Sequence, residues 1–313
     1  MSHRTSMYVS TILFVFLLFP QLSLSQFAFL IDYFTGDLVK LELADPSNAT
    51  VIGTTEQFLA DAEFGAGNVL YALPFGETEF FQIDTTDASV TQIGNSIPIT
   101  DHMWSGLAWD TTTNQLFAVS IDGISSIALY TINTLNGDAT LVCSTDEIDS
   151  VADISFDEDG QLYGHNLQDT FYAIDKTDCS MVYIGETGFQ ATGPWHGMDF
   201  SHADGTMYMA TYNGINFVRT LRSVSLRDGM TTEIGEINYN SGGFAITHPE
   251  MGYQPGDVNM DGSVDVTDIV AMVNFILGAG DLNDQQFELA DINSNGLVNV
   301  EDLVLVVQII LGN

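Results

Sequence analysis

Positive charge is almost missing from this sequence. Its 313 residues include six Lys and Arg against 42 Asp and Glu, a formal net charge of −36. So acidic a surface repels nucleic-acid phosphates and anionic membranes, which excludes both as partners. It suits calcium-rich or saline surroundings, where cations screen the repulsion. No Lys or Arg follows Arg227. Apolar residues still make up 45%, so the chain is no disordered acidic tail. Long apolar runs are equally scarce. One, Met7 to Phe19, follows Arg4 and precedes the small residues Ser23-Leu24-Ser25. That order predicts an export signal over residues 1–25 rather than a membrane anchor, because the run is short for a bilayer span. No later segment is long enough to span, so a secreted or cell-surface protein is expected.

Cysteine is nearly absent too, with only Cys143 and Cys179. Two cysteines rule out a zinc-type cluster, and an exported pair bonds by default. There is no nucleophile elbow, phosphate-binding loop or basic nucleic-acid patch.

What the chain does have is repetition. The pairs Leu70-Tyr71, Leu116-Phe117, Leu162-Tyr163 and Met207-Tyr208 stand 46, 46 and 45 residues apart. Around each lies the same order of short strands: GLAWD or DISFD, a turn such as DEDG or HADG, then LYAL, LFAV, LYGH or MYMA. A third strand ending in turn residues follows, then VTQIG, ATLVC, MVYIG or TTEIG. Four short strands in about 45 residues are the signature of a propeller blade. The N-terminal FAFLIDYF, LVKLELADPSN and ATVIG lack a first strand, and the C-terminal GGFAITHPE supplies one. The expectation is an all-β five-bladed propeller over 26–249, with four-stranded blades and a closing blade shared by both ends. Closure of that kind leaves no open edge, unlike an open solenoid. On this alignment Cys143 ends one outer strand and Cys179 lies in the turn before the next. The two are then a strand length apart, beyond the Cα separation of about 7 Å that a disulfide tolerates, so no intramolecular bond is expected.

The second repeat is chemical. GDVNMDGSVDVTDIVAMVNFILG places Asp257, Asn259, Asp261, Asp265 and Asp268 at positions 1, 3, 5, 9 and 12 of a twelve-residue loop, with Gly262 at 6. Side-chain oxygens at 1, 3, 5 and 12, a backbone carbonyl at 7 (Ser263), a water held at 9 and a turn glycine make a calcium loop. DINSNGLVNVEDLVLVVQIILG repeats it 34 residues on with Asp291, Asn293, Asn295, Leu297, Asn299 and Asp302. Two calcium ions are expected. The second loop has two carboxylates where the first has four, so it should bind more weakly. Without metal the acids repel unrelieved, and the module should be largely unfolded.

With its apolar helices Ile269, Val273, Ile276 and Leu303, Val306, Ile310, this duplicated segment (256–313, after a linker over 250–255) resembles a type I dockerin. The resemblance implies a small all-α domain folded on calcium that docks to a cohesin-like partner, often in polysaccharide-degrading assemblies. Loop positions 10 and 11 are Val266-Thr267 and Val300-Glu301, where cellulosomal dockerins commonly carry a Ser/Thr pair. This points to a different cohesin or to intramolecular docking. The propeller segment resembles exported bacterial propellers with LYAID-type repeats, which implies a fold and no reaction.

For the propeller three readings stay open. A glycosidase needs one carboxylic acid and one carboxylate facing a shared channel. Asp61, Asp153 and Asp199 from three blades are the catalytic candidates. A binding module is the favoured reading and would show an aromatic platform, with His102, Trp104, Trp195 and His196 as the ligand-binding candidates and a polysaccharide among the possible ligands. A structural surface component would show neither.

Overall fold

Short apolar runs bounded by Gly, Asp and Asn become strands wherever the repeat predicts them. The computed structural model describes residues 26–311 apart from 124–125, 147–150, 190–195, 214–217, 249–254, 260–263, 281, 283 and 294. The expected signal over 1–25 and nearly all of the expected linker lie outside these residues. From the axis outward, blade 1 is Ser241–Ile246, Phe27–Asp32, Asp37–Glu42 and Asp45–Thr54. Blade 2 is Leu59–Phe64, Leu70–Pro74, Glu79–Ile83 and Val90–Asn95. Blade 3 is Met103–Asp110, Gln115–Ile121, Ile127–Ile132 and Ala139–Thr145. Blade 4 is Val151–Phe156, Leu162–Asn166, Thr170–Ile174 and Met181–Glu186. Blade 5 is Gly197–Ser201, Thr206–Asn213, Val218–Val224 and Thr231–Glu236. The fold is a five-bladed propeller, closed as expected by antiparallel pairing of Ala28 with Ile246 and Leu30 with Phe244.

The hydrophobic cores lie between blades, not within them. Phe29 and Leu38 of blade 1 pack on Phe64 and Phe81 of blade 2. Phe80 of blade 2 packs with Trp104 and Tyr130 of blade 3, and Phe117 of blade 3 with Phe156 of blade 4. Phe171 of blade 4 packs with Met207 of blade 5, and Leu221 of blade 5 with Leu30 of blade 1. Each such side chain stabilises the ring by about 1.5–3 kcal/mol when fully buried, and only while the next blade is in place.

The outer rim is held by a contact that repeats. Every outer strand has a bulge, where the register slips opposite Leu38/Val39, Phe80/Phe81, Leu129/Tyr130, Phe171/Tyr172 and Leu221/Arg222. The residue just past each bulge is Gly53, Gly94, Cys143, Gly185 or Gly235. A Cβ on Gly53 would collide with the Asp87 carbonyl of the next blade, one on Gly94 with that of Asn136, and one on Gly185 with that of Asp228. Those carbonyls belong to turns whose next residue has positive φ: Ala88 at 64°, Gly137 at 78° and Gly229 at 75°. Cys179 holds the same turn position in blade 4, with φ 61°.

Cys143 and Cys179 are bonded, with Cα atoms 5.7 Å apart. The expectation of no intramolecular disulfide is therefore corrected. The strand alignment was right: Cys143 is in the outer strand of blade 3, and Cys179 is in the turn before the outer strand of blade 4. The error was to set neighbouring outer strands side by side. The bulge carries the middle of each outer strand against the next blade's turn, so the two positions are neighbours.

Among the described residues the C-terminal domain has three helices: α1 (Val266–Ile276), α2 (Asp284–Ala290) and α3 (Val300–Ile310). The calcium-loop repeat predicts α1 and α3; α2 between them is additional. Both long helices begin with a capping box, Asp265 with Asp268 and Asn299 with Asp302. Val258, Met272, Ala290 and Val306 form the core.

Replacing Cys143 and Cys179 together by glycine reproduces the pair that blade 2 makes with blade 3 (Gly94 and Gly137). The native bond closes a sequence separation of 36 residues. Its loss is expected to lower unfolding free energy by about 3–4 kcal/mol while leaving the far-ultraviolet strand signal unchanged, as read by denaturant titration.

Candidate functional site

The inner strands bring Asp61, Asp153 and Asp199 together at the axis, with Glu63 as a fourth acid. Their exposures are 3, 1, 3 and 2%. Each aspartate is fastened to the inner strand of the following blade. Asp61 Oδ2 accepts the Leu107 N–H, Asp153 Oδ2 that of Met198 and Asp199 Oδ2 that of Ile246, all at 2.6 Å. Asp153 Oδ1 also accepts the Ile154 N–H at 2.7 Å, and Asp199 Oδ1 the Phe200 N–H at 2.7 Å and the Ser155 hydroxyl at 3.2 Å. Asp61 Oδ1 has no N–H or hydroxyl partner. Its neighbour is the Asp153 carboxyl, and Glu63 likewise meets Asp199. Two carboxyls in contact require a proton between them.

Burial pushes Asp61 and Asp199 up to about 7. Burial first, then the neighbouring carboxyls, holds Glu63 and Asp153 well above the usual carboxylate range. Among the described residues the ion pairs lie elsewhere, Lys176 with Asp110 and Arg222 with Glu233. The axial acids thus meet each other and the backbone, and no face of theirs is open to a glycosidic bond.

The other candidates are also engaged. Trp104 is 1% exposed, donates from Nε1 to the Ser96 carbonyl at 3.2 Å and sits edge-on to Tyr130. Its N–H is thereby taken, while its ring forms part of the wall of the axial cavity. His102 meets Ser120 Oγ at 3.1 Å and Ser126 Oγ at 3.3 Å. His196 is buried, and its Nδ1 accepts the Tyr212 N–H at 3.3 Å. Trp195 lies outside the described residues.

Sequence reasoning missed what opens at the axis. A cavity of about 50 Å³ has Ala60, Ser105, Ala152 and Gly242 at its base. Ala60, Ser105 and Ala152 are the unpaired residues of bulges between first and second strands. Small residues at those bulges leave the mouth clear. Tyr33, Phe75, Trp104 and Leu167 form its walls. Tyr33 stands 5.4 Å from Phe34 and 6.4 Å from Phe58, and the Phe75 N–H bonds the Phe58 carbonyl. Phe34, Phe58 and Phe75 are 57, 66 and 39% exposed. A contiguous exposed apolar cluster of this kind marks a binding surface. The available signal was the wrong residue type for a turn: DYFTG and PFGET carry phenylalanine where a hairpin ordinarily carries polar residues.

In the C-terminal domain the position-12 carboxylates tie their loops together. Asp268 accepts the N–H of Asn259 at 2.9 Å and of Asp265 at 2.8 Å. Asp302 does the same for Asn293 at 3.3 Å and Asn299 at 3.0 Å. Asp291 accepts from Asn295 at 3.0 Å and Gly296 at 2.7 Å. Asp257, Asp268 and Asp302 are at most 1% exposed. Among the described residues no three acidic, His or Cys side chains converge as a metal group; Asp261 and Ser263 lie outside them. An all-oxygen donor set with buried carboxylates, in a segment lacking Lys and Arg, fits a hard divalent cation. Asp257, Asp268, Asp291 and Asp302 would hold it, and the cation would supply the charge that the segment lacks.

Residues 255–311 match the family model of the dockerin type I domain. The chain is a five-bladed β-propeller followed by a type I dockerin domain, a class that binds calcium. No curated protein matches it. Among solved structures it is similar to a nidogen/laminin complex, at 12% identity and TM-score 0.37, with 69% of this chain and 64% of that one covered. It is also similar to a Bacteroides thetaiotaomicron protein of unknown function, at 14% and 0.45, with 70% and 60% covered. Staphylococcus aureus virginiamycin B lyase with quinupristin gives 10% and 0.40, with 69% and 71% covered. The chain spans under two thirds of the first two. Similarities at this level carry no statement about activity.

The axial acids set a pH dependence with a definite sign. A raised folded-state pKa adds stability that is full below the unfolded value, near 4, and lost as pH rises through about 7. His165 and His202, both lowered to about 4 by burial, act in the opposite sense below about pH 6.5. From pH 6.5 to 8.5 only the carboxyls remain. The propeller melting temperature in saturating calcium is expected to fall over that interval. In Asp61→Asn, whose amide bonds both Leu107 and an ionised Asp153, the fall should shrink.

Proposed function

We propose that the protein is exported and that its dockerin domain, loaded with two calcium ions, docks a non-catalytic ligand-binding propeller onto a cohesin-like partner in an extracellular, polysaccharide-handling assembly. The match of residues 255–311 to the dockerin family carries the anchoring half of this reading. The binding half is supported by the axial mouth: an aromatic cluster from the loops of blades 1 and 2 flanks one side of an apolar cavity, while the carboxyls suited to hydrolysis are buried and bonded to backbone. The anchoring mechanism follows from the loops. Asp268 and Asp302 hold loop and helix N-terminus together through the N–H groups of Asn259, Asp265, Asn293 and Asn299; a bound cation would supply the positive charge that these buried aspartates lack, and the exposed residues of α1 and α3 would face the partner.

Residues 26–313 incubated with an immobilised type I cohesin panel should be retained in calcium and released by chelator. Chelation is expected to abolish the helical signal at 222 nm while the strand signal persists, and Asp268→Ala should weaken calcium binding more than Asp302→Ala. Retention that survives chelation would sink the anchoring reading. Reducing ends released from a polysaccharide panel, and lost in Asp153→Asn, would make the propeller a glycosidase instead.

A further inference from the structure

We infer that the axial cavity receives one branched aliphatic side chain of a partner protein, flanked in that partner by Lys or Arg. The inference rests on reading the propeller as a binding module, and it identifies what is bound. Size decides first. A water-sized group needs about 10–15 Å³ of such volume, so a cavity of about 50 Å³ takes roughly three to five such groups. Val, Leu and Ile side chains are of that size; a hexose or an indole is too large to enter.

Polarity decides next. A sugar requires several oriented donors and acceptors, and this wall has few to give. The Ser105 hydroxyl already donates to the Val151 carbonyl at 3.0 Å, and Trp104 Nε1 is bonded to Ser96. Among the described lining residues the other side chains are alkyl and aromatic, with the Tyr33 hydroxyl as their one further polar group. Phe34, Phe58 and Phe75 then offer stiff apolar area around an inserted side chain, the arrangement of an anchor residue in its pocket.

Charge decides the flanks. Glu56 and Glu77 are exposed, each two residues from a rim phenylalanine, and Asp101 is exposed on the loop before blade 3. Among the described residues, Arg219 is the basic side chain at this end of the strands. It is engaged, with Nε on Asn240 Oδ1 at 2.6 Å and its guanidinium 5.3 Å from the Tyr212 ring. An apolar mouth inside an acidic rim favours an apolar anchor with cationic neighbours and rejects an acidic segment.

A random dodecapeptide phage library panned on residues 26–313 in calcium tests this. Ala152→Phe, which fills the cavity without removing a hydrogen bond, and Phe58→Ser, on an exposed rim residue, serve as counter-targets. Enriched peptides should share a Val, Leu or Ile within two residues of Lys or Arg. A synthetic copy should bind at least tenfold more weakly when its aliphatic residue becomes Ala, and to either variant. No enrichment, equal enrichment on both variants, or an acidic consensus would overturn the inference. So would binding of cellohexaose that Phe58→Ser abolishes while no peptide is selected, which would make the rim a glycan platform. Peptide failure with no reducing ends released removes only this inference; released reducing ends remove the binding reading itself.

Discussion

Everything at the axis depends on the pairing of Phe27–Asp32 with Ser241–Ile246. Because the five cores lie between blades, no blade has a complete interior of its own. A ring open at this seam would expose Leu30, Phe244 and Leu221 to water, along with two unpaired strand edges. Closure turns five marginal sheets into one cooperative unit. It also fixes the inner strands closely enough for hydrogen bonds of 2.6 Å to pass from blade to blade.

The ring is braced differently at its two radii. At the rim a bulge drives each outer strand against the next turn. Backbone approaches backbone so closely that only glycine, or in one case a covalent sulfur pair, fits the crossing. At the axis the strands are too crowded for large side chains, and carboxyls serve as short acceptors for neighbouring N–H groups. Buried acids with convergent geometry and raised pKa values resemble a catalytic constellation. Here every feature of that constellation follows from close packing. The cavity lies nearer the entrance, where bulges seat Ala60, Ser105 and Ala152 and the hairpins carry the aromatics.

Two solutions to one electrostatic problem coexist in the chain. The propeller buries carboxyls by keeping protons on them, which requires only low dielectric surroundings and mutual contact. The dockerin domain keeps Asp268 and Asp302 buried beside loops of further acids, where no Lys or Arg is available, a donor set that fits a hard divalent cation.

The sequence by itself determined the blade number, the shared closing blade, the two capped helices of the C-terminal repeat and the convergence of Asp61, Asp153 and Asp199. These follow from local period, turn chemistry and fixed ligand spacing. It also placed Cys143 and Cys179 on the correct elements. Only the tertiary structure decided that they bond, because the decisive distance runs between two blades and depends on a bulge that slips the register by one residue. The same holds for the site. His196 is named by sequence position yet is buried, whereas Trp104 reaches the cavity wall with its N–H already bonded. Tyr33, Phe34, Phe58 and Phe75 are out of place in their separate turns, but only the ring gathers them into one cluster. Residue type is written locally, whereas accessibility is a property of the closed ring, set by contacts between segments as far apart in the chain as Tyr33 and Gly242.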